Sequence, residues 1–251
     1  MNVVASTSAR TEVEIKVPGL WVEEVEADGT TFKRFELPAY GTTANEGWPE
    51  LPAVAELFAV PGRKNVALNV LDEDTTTLTG YRVFPYQPSP PDGGWDCNEF
   101  YYDEEFYETD ADWPAAYADL GAPAIWRDLR VVHPVFYPLR ANPHDKTVVV
   151  TYYARLELVY SGTSDENAKD DPDYDIERKH ADAYAQLIPN YELLDLPVTE
   201  WDLGAATDYL IIYAPALATP ATRLVPYGNA RGFRTTAVSC LLYTSPSPRD
   251  S

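Results

Sequence analysis

Between residues 11 and 17 every second position is apolar: Val13, Ile15 and Val17 alternate with Glu12, Glu14 and Lys16. A period of two sends alternate side chains to opposite faces of a strand, so this segment predicts a strand with one buried face. Residues 20–26 and 31–37 predict two more strands, and Asp28-Gly29 between them is a hairpin signal because both residue types tolerate positive φ. At Gly47-Trp48-Pro49-Glu50-Leu51-Pro52 the two prolines fix φ and push the residue before each toward extended backbone. That rigid corner leads into a half-buried strand carrying Val54, Phe58 and Val60 and ending at Pro61-Gly62. Further strands are predicted over 66–71, 81–86, 125–133, 135–139 and 146–160, the one at 81–86 on an edge because Pro85 has no N–H to donate. Asn142-Pro143-His144-Asp145 predicts a turn, and no fixed-period repeat interrupts this grammar.

Three stretches depart from it. Pro88, Pro90, Pro91, Gly93 and Gly94 open a long connection, followed by an acidic-aromatic run over 100–108 and a short helix expected over 114–120 with Pro114 in its first turn. Residues 161–173 are a linker by composition, and 175–188 have helical character, with Ile176, Ala183 or Tyr184, and Leu187 toward one face. From Asp208 the pattern changes again. Tyr209-Leu210-Ile211-Ile212-Tyr213 is a continuous apolar run, the signature of a strand buried on both faces. A helix over 216–231, despite Pro220 and Pro226, a stop at Gly232 and a strand over 233–238 complete one βαβ unit. A parallel sheet needs more strands than two, so this α/β domain is expected to be cut short. The expected organisation is a strand domain over 11–160, a linker and helix over 161–206 and an incomplete α/β fragment over 207–238. Residues 239–251 read as a non-native tail of the kind left by sequencing-adapter read-through, which removes Cys240 from the chemistry.

Composition narrows the function. Forty acidic against 19 basic residues give the 251-residue chain a formal charge of −21, which repels phosphate backbones and anionic lipid and excludes nucleic-acid binding as a main role. The charge serves solubility or pairs with a basic partner surface. No segment has the length and apolarity of a membrane span, and the first residues lack the basic and apolar regions of a signal peptide. Cys97 lies among Asp96, Asn98 and Glu99, whose charges raise a thiol pKa, and His133, His144 and His180 bear no spacing relation to it, so no nucleophile and base are expected here. His133, just before Pro134, reads as structural. Asp171, Asp173 and Asp175 alternate as in a calcium loop, but Pro172 and Ile176 break the pattern, leaving adventitious calcium binding as the most this segment offers and no cofactor.

Taken together, the corner at 47–52 before a strand ending in Val60-Pro61, the segment Arg130 to Leu139 with its turn and long following strand, and Ala206-Thr207-Asp208-Tyr209-Leu210-Ile211-Ile212 with Arg231-Gly232-Phe233 after a helix resemble the propeptide and first catalytic segment of gingipain-type cysteine peptidases. The resemblance runs from about Thr11 to Val238. It implies a mainly β chain: an antiparallel β-sandwich propeptide followed by a truncated α/β fragment of caspase-like fold. It also implies a secreted zymogen in which the propeptide assists folding and blocks the cleft of its cognate catalytic domain. The catalytic His and Cys of such enzymes lie beyond the first βαβ unit, so this chain is expected to be no enzyme itself. Such enzymes take a basic residue in their specificity pocket, and Arg127 and Arg130, near the exit of the long connection, are the candidate inhibitory contacts, the alternative being ordinary exposed strand arginines. In Glu177-Arg178-Lys179-His180, Arg178 or Lys179 is the candidate activation cleavage site, the alternative being a solvated first helical turn. A competing reading is an extracellular carbohydrate-binding or adhesion module using Trp95, Phe100, Tyr101, Tyr102, Phe106, Tyr107 and Trp113 as an exposed aromatic face.

Overall fold

A computed structural model describes residues 1–88, 100–170, 172, 174–199, 207–231 and 233–242. Cys97, Trp95, Asp171, Asp173 and Gly232 lie outside the described residues. The chain divides into two compact units, Met1–Thr199 and Glu200–Ser251.

The first unit opens with β1 (Asn2–Ser6) and β2 (Arg10–Lys16), the hairpin of β3 (Trp21–Ala27) and β4 (Thr30–Glu36), then β5 (Gly41–Thr42), β6 (Pro52–Ala55), β7 (Phe58–Ala59) and the 15-residue β8 (Asn65–Thr79). After α1 (Glu104–Tyr107) come β9 (Ala118–Leu120), β10 (Ala124–Trp126), β11 (Leu129–Val132), β12 (Pro134–Phe136), β13 (Leu139–Asn142) and β14 (Thr147–Ser161). A C-terminal arm follows: β15 (Ile176–Glu177), α2 (Arg178–Leu187) and β16 (Val198–Thr199). Mainly β, the unit is built on several antiparallel sheets; among the described residues the short β15–β16 strand pair in the arm is parallel.

Strand β14 is the axis. One edge pairs with β8 along its length, from Thr147↔Thr79 to Ser161↔Asn65. The other edge is shared by β13, with Leu139 opposite Val150, and by β2, with Tyr153 opposite Lys16, and β1 lies outside β2. The alternation of Val13 and Ile15 on β2 and of Leu156, Leu158 and Tyr160 on β14 turns one apolar set inward. There it shares a core with Val54 of β6, Phe58 of β7, Val132 of β11 and Phe136 of β12. Two smaller sheets supply that second set, β10-β11-β7 and β5-β6-β12-β9.

Several sequence expectations need correction. The unit begins at β1, ahead of residue 11. The strand expected to run to Val60 breaks at Glu56-Leu57 into β6 and β7, which join different sheets. Residues 81–86 make isolated bridges, Val83 to Lys33 and Pro85 to Pro49, rather than a strand. The helix expected over 114–120 does not form, because Trp113 exchanges backbone hydrogen bonds with Ala141 and Ala118–Leu120 pair with β12. The compositional linker is tied down in its described part. Arg63 Nε donates to Asp170 at 2.5 Å, Ser164 N–H to the Arg63 carbonyl at 2.9 Å and Lys169 N–H to the Gly62 carbonyl at 3.0 Å.

In the second unit, β17 (Tyr209–Tyr213) and β18 (Thr235–Ser239) pair in parallel, joined by α3 (Ala218–Ala230). Gly228 lets α3 approach β18, since a Cβ there would lie 2.1 Å from the Thr235 hydroxyl. The expectation that β17 is buried on both faces fails: Tyr209, Leu210 and Ile212 are exposed, because among the described residues only β18 and α3 cover it. Ser239, assigned from sequence to the tail, is the last residue of β18.

Candidate functional site

Residues 125–133, which read from sequence as one strand, are a hairpin. Trp126 of β10 faces Leu129 of β11, leaving Arg127 and Asp128 as a two-residue tip. Arg127 has φ of 53°, in the left-handed region where a side chain on Cβ costs about 1–2 kcal/mol. No glycine or asparagine marks the turn, which is why its sequence did not announce it. The arms of the hairpin are firmly rooted. Leu129 and Val131 are buried with Ala59 against Ile176, Ala181, Tyr184, Ile188 and Tyr191 of the arm. Trp126 meets the Tyr184 ring edge-to-face at 5.1 Å.

Asp128 is held at both carboxylate oxygens. The Tyr174 hydroxyl donates to Oδ1 at 2.6 Å and the Tyr184 hydroxyl to Oδ2 at 2.7 Å. Partial burial pulls the Asp128 carboxyl upward, but the two phenol hydrogen bonds, with the charges of His180 and Lys169, hold it below its ordinary value. Burial pushes the Tyr184 phenol up, and its bond to Asp128 adds to that, so it stays a donor. Hydrogen bonds to a charged group contribute roughly 1.5–3 kcal/mol each, enough to offset the left-handed backbone next door. The exposed Arg127 side chain rests with Nη1 3.0 Å from His180 Nε2.

Arg130 is different. It is 3% exposed, and its guanidinium donates to the carbonyls of Pro61 at 3.0 Å, Lys64 at 2.8 Å and Glu166 at 3.0 Å. It is therefore neither an exposed strand arginine nor a group presented to a partner as folded here, but a clamp joining β11 to the 61–64 turn and the 161–170 stretch. Arg178 and Lys179 are exposed in the first turn of α2, Arg178 Nε donating to Asp182 at 3.1 Å and Lys179 pairing with Glu177 at 2.7 Å. That turn has no side-chain cap, a lack that typically costs about 1 kcal/mol and eases its fraying.

The aromatic residues proposed as a binding face are mostly packed on one another. Phe106 stacks on Trp48 at 3.8 Å between ring centres, and Trp113 meets Trp48 edge-on at 4.7 Å. Phe100 and Tyr102 pack against Phe32, Phe84 and Tyr107 in a small core. Of the six that are described, Tyr101 alone is exposed, at 47%. This corrects the exposed aromatic face and removes the main support for a sugar-binding or adhesion module. Among the described residues Asp110, His144 and Asp145 bring three metal-ligand atoms within 4.8 Å of one another, but all are exposed, and exposed groups of this kind are common without an ion. No helix among the described residues is long and apolar enough to cross a membrane.

Tyr174, His180 and Tyr184 were not foreseen as site residues. Tyr184 is 56 residues from Asp128, and no local spacing signals such a pair.

The Propeptide_C25 family model matches residues 2–175. No curated protein matches the chain. One similar solved structure is described as a complex of Porphyromonas gingivalis RgpB pro- and mature domains. It is 18% identical with a TM-score of 0.68, over 76% of this chain and 96% of that one. A second is described as giving structural insight into zymogenic latency of gingipain K from Porphyromonas gingivalis. It is 19% identical with a TM-score of 0.57, over 64% of this chain and 92% of that one. At these identities the likeness is one of fold.

Proposed function

This chain belongs to the Propeptide_C25 family, and from that premise we propose that its first unit is the propeptide of a secreted gingipain-type cysteine peptidase, keeping the zymogen latent. The unit, an antiparallel β-sandwich in this reading, blocks the cleft of its cognate catalytic domain and assists that domain's folding. The second unit is the start of a caspase-like α/β peptidase domain, and hydrolysis belongs to the catalytic domain rather than to this chain. The descriptions of the two similar structures, a pro- and mature-domain complex and a study of zymogenic latency, support the reading.

The observation that carries it is Arg127: an exposed basic side chain at the tip of a rooted hairpin, in a left-handed backbone conformation. Strained backbone in a non-glycine residue persists where surrounding structure over-determines it, and such positions cluster at functional sites. In this mechanism the guanidinium enters the specificity pocket as a substrate side chain would. The closed two-residue turn keeps the following peptide bond out of the extended geometry of a substrate, so the tip binds without being cut. Arg178 or Lys179 remains the proposed activation site, reached when the uncapped first turn of α2 unwinds.

The test is a titration of the 251-residue chain against an arginine-specific gingipain-type peptidase. The intact chain is expected to inhibit stoichiometrically, and Arg127→Ala to weaken inhibition by at least ~30-fold, the size of an interface hot spot. A folded wild-type chain that leaves activity untouched at micromolar excess, or an Arg127→Ala chain that inhibits equally well, would sink the reading.

A further inference from the structure

We propose that Tyr174 and Tyr184 are positioning residues for the inhibitory tip: by clamping both oxygens of Asp128 they hold its neighbour Arg127 in the presented conformation. A cut in the first turn of α2 then places the two hydroxyls on separate chain segments and loosens the clamp. The inference rests on the function proposed above and deepens it, since activation cleavage and release of the cleft become one event.

The geometry is specific to the tip. Asp128 occupies the second position of the turn, directly after the left-handed residue, and each of its oxygens accepts one phenol at 2.6–2.7 Å. Tyr184 is fixed by its own burial against Trp126 and Tyr191, so its hydroxyl is pre-aimed rather than recruited. Tyr174 stands just before β15 and Tyr184 within α2, with the Arg178-Lys179 bond between them. His180, from that same first turn, touches Arg127 itself. The arm, from Ile176 onward, lies beyond the segment that matches the family model but within the same compact unit. Among the described residues the charged and titratable groups around the tip are Arg127, Asp128, His180, Glu177 and Lys169, with the phenols of Tyr174, Tyr184 and Tyr191.

Titration supplies the discriminating readout. The Asp128 carboxyl is held below its ordinary value, so the clamp is complete above that value and is lost as pH falls through the depressed one. The full chain and its Tyr174→Phe/Tyr184→Phe double variant are compared by amide exchange at residues 126–129, by the NMR titration of Asp128 from roughly pH 1.5 to 6, and by inhibition of the peptidase. Phenylalanine keeps both rings, so protection along β14 is expected to persist. Tip exchange is expected to rise about tenfold, inhibition to weaken by a similar factor and the Asp128 inflection to move up toward an ordinary carboxylate. Should the double variant fold poorly, Asp128→Asn removes the charge alone and is expected to give a pH-independent, faster-exchanging tip. Unchanged tip exchange and an unmoved Asp128 inflection would overturn the clamp. A wild-type chain that does not inhibit sinks the proposed function instead, while exchange and titration, which need no peptidase, still decide the clamp.

Discussion

Asn190 completes an edge that the backbone leaves open. Among the described residues β7, two residues long, pairs with a strand, β11, on one side only. On the other side the buried Asn190 carboxamide stands in for a strand, with Oδ1 accepting from the Ala59 N–H at 3.0 Å and Nδ2 donating to the Ala59 carbonyl at 2.8 Å. Truncation would leave both backbone groups of Ala59 buried and unpaired, at roughly 1–3 kcal/mol each. Asn190→Ala is therefore expected to lose about 2–5 kcal/mol of stability in urea unfolding, and a loss below ~0.5 kcal/mol would show that water replaces the amide without penalty. The two arginines of the hairpin make the same point about context. Arg127 projects from the tip, whereas Arg130 satisfies three carbonyls inside the fold, so one serves a partner in our reading and the other serves the scaffold.

At the scale of elements, the proline corner is where sequence and structure agree most closely. Gly47 has φ of 77°, and a Cβ there would sit 3.0 Å from the Asp103 backbone nitrogen and 3.1 Å from the Tyr101 ring. The Pro49 carbonyl then accepts from the Thr43 hydroxyl at 3.0 Å and from Trp113 Nε1 at 3.2 Å, and Trp48 Nε1 donates to Asp103 Oδ2 at 3.1 Å, which ties the corner to the acidic-aromatic segment. Gly47→Ala is expected to cost about 1–3 kcal/mol in thermal unfolding, and an unchanged midpoint would mean that segment yields freely. Local chemistry made such features legible: Asp28-Gly29 turns with φ of 46° and 70°, and the alternation over 146–160 became β14. The tip escaped because a left-handed arginine carries no turn signature and its flanks are apolar on both sides. The arm escaped for another reason. Ile176, Tyr184, Ile188 and Tyr191 are buried from a bridge strand, a helix and the turn after it, and no single period connects them. Burial that spans several element types is a tertiary fact, invisible to a window that tests one period at a time.

For the whole molecule, the charge of −21 sets how the chain meets a partner. Arg127 is a cation carried on a strongly acidic body, so the forces that bring the surfaces together differ from those that hold the tip in place. If the acidic surface faces a basic one on the peptidase, long-range attraction accelerates encounter and salt screens it. The association rate is then expected to fall about tenfold from low to high salt while the dissociation rate stays nearly constant. Arg127→Ala is expected to do the reverse, since a buried anchor resists separation and contributes little to steering; its loss should appear as faster dissociation at an almost unchanged association rate. Stopped-flow measurement of both rate constants across a salt series, on the wild type and this variant, separates the two contributions. An association rate indifferent to salt would leave the acidic surface with solubility as its role and confine recognition to the hairpin tip.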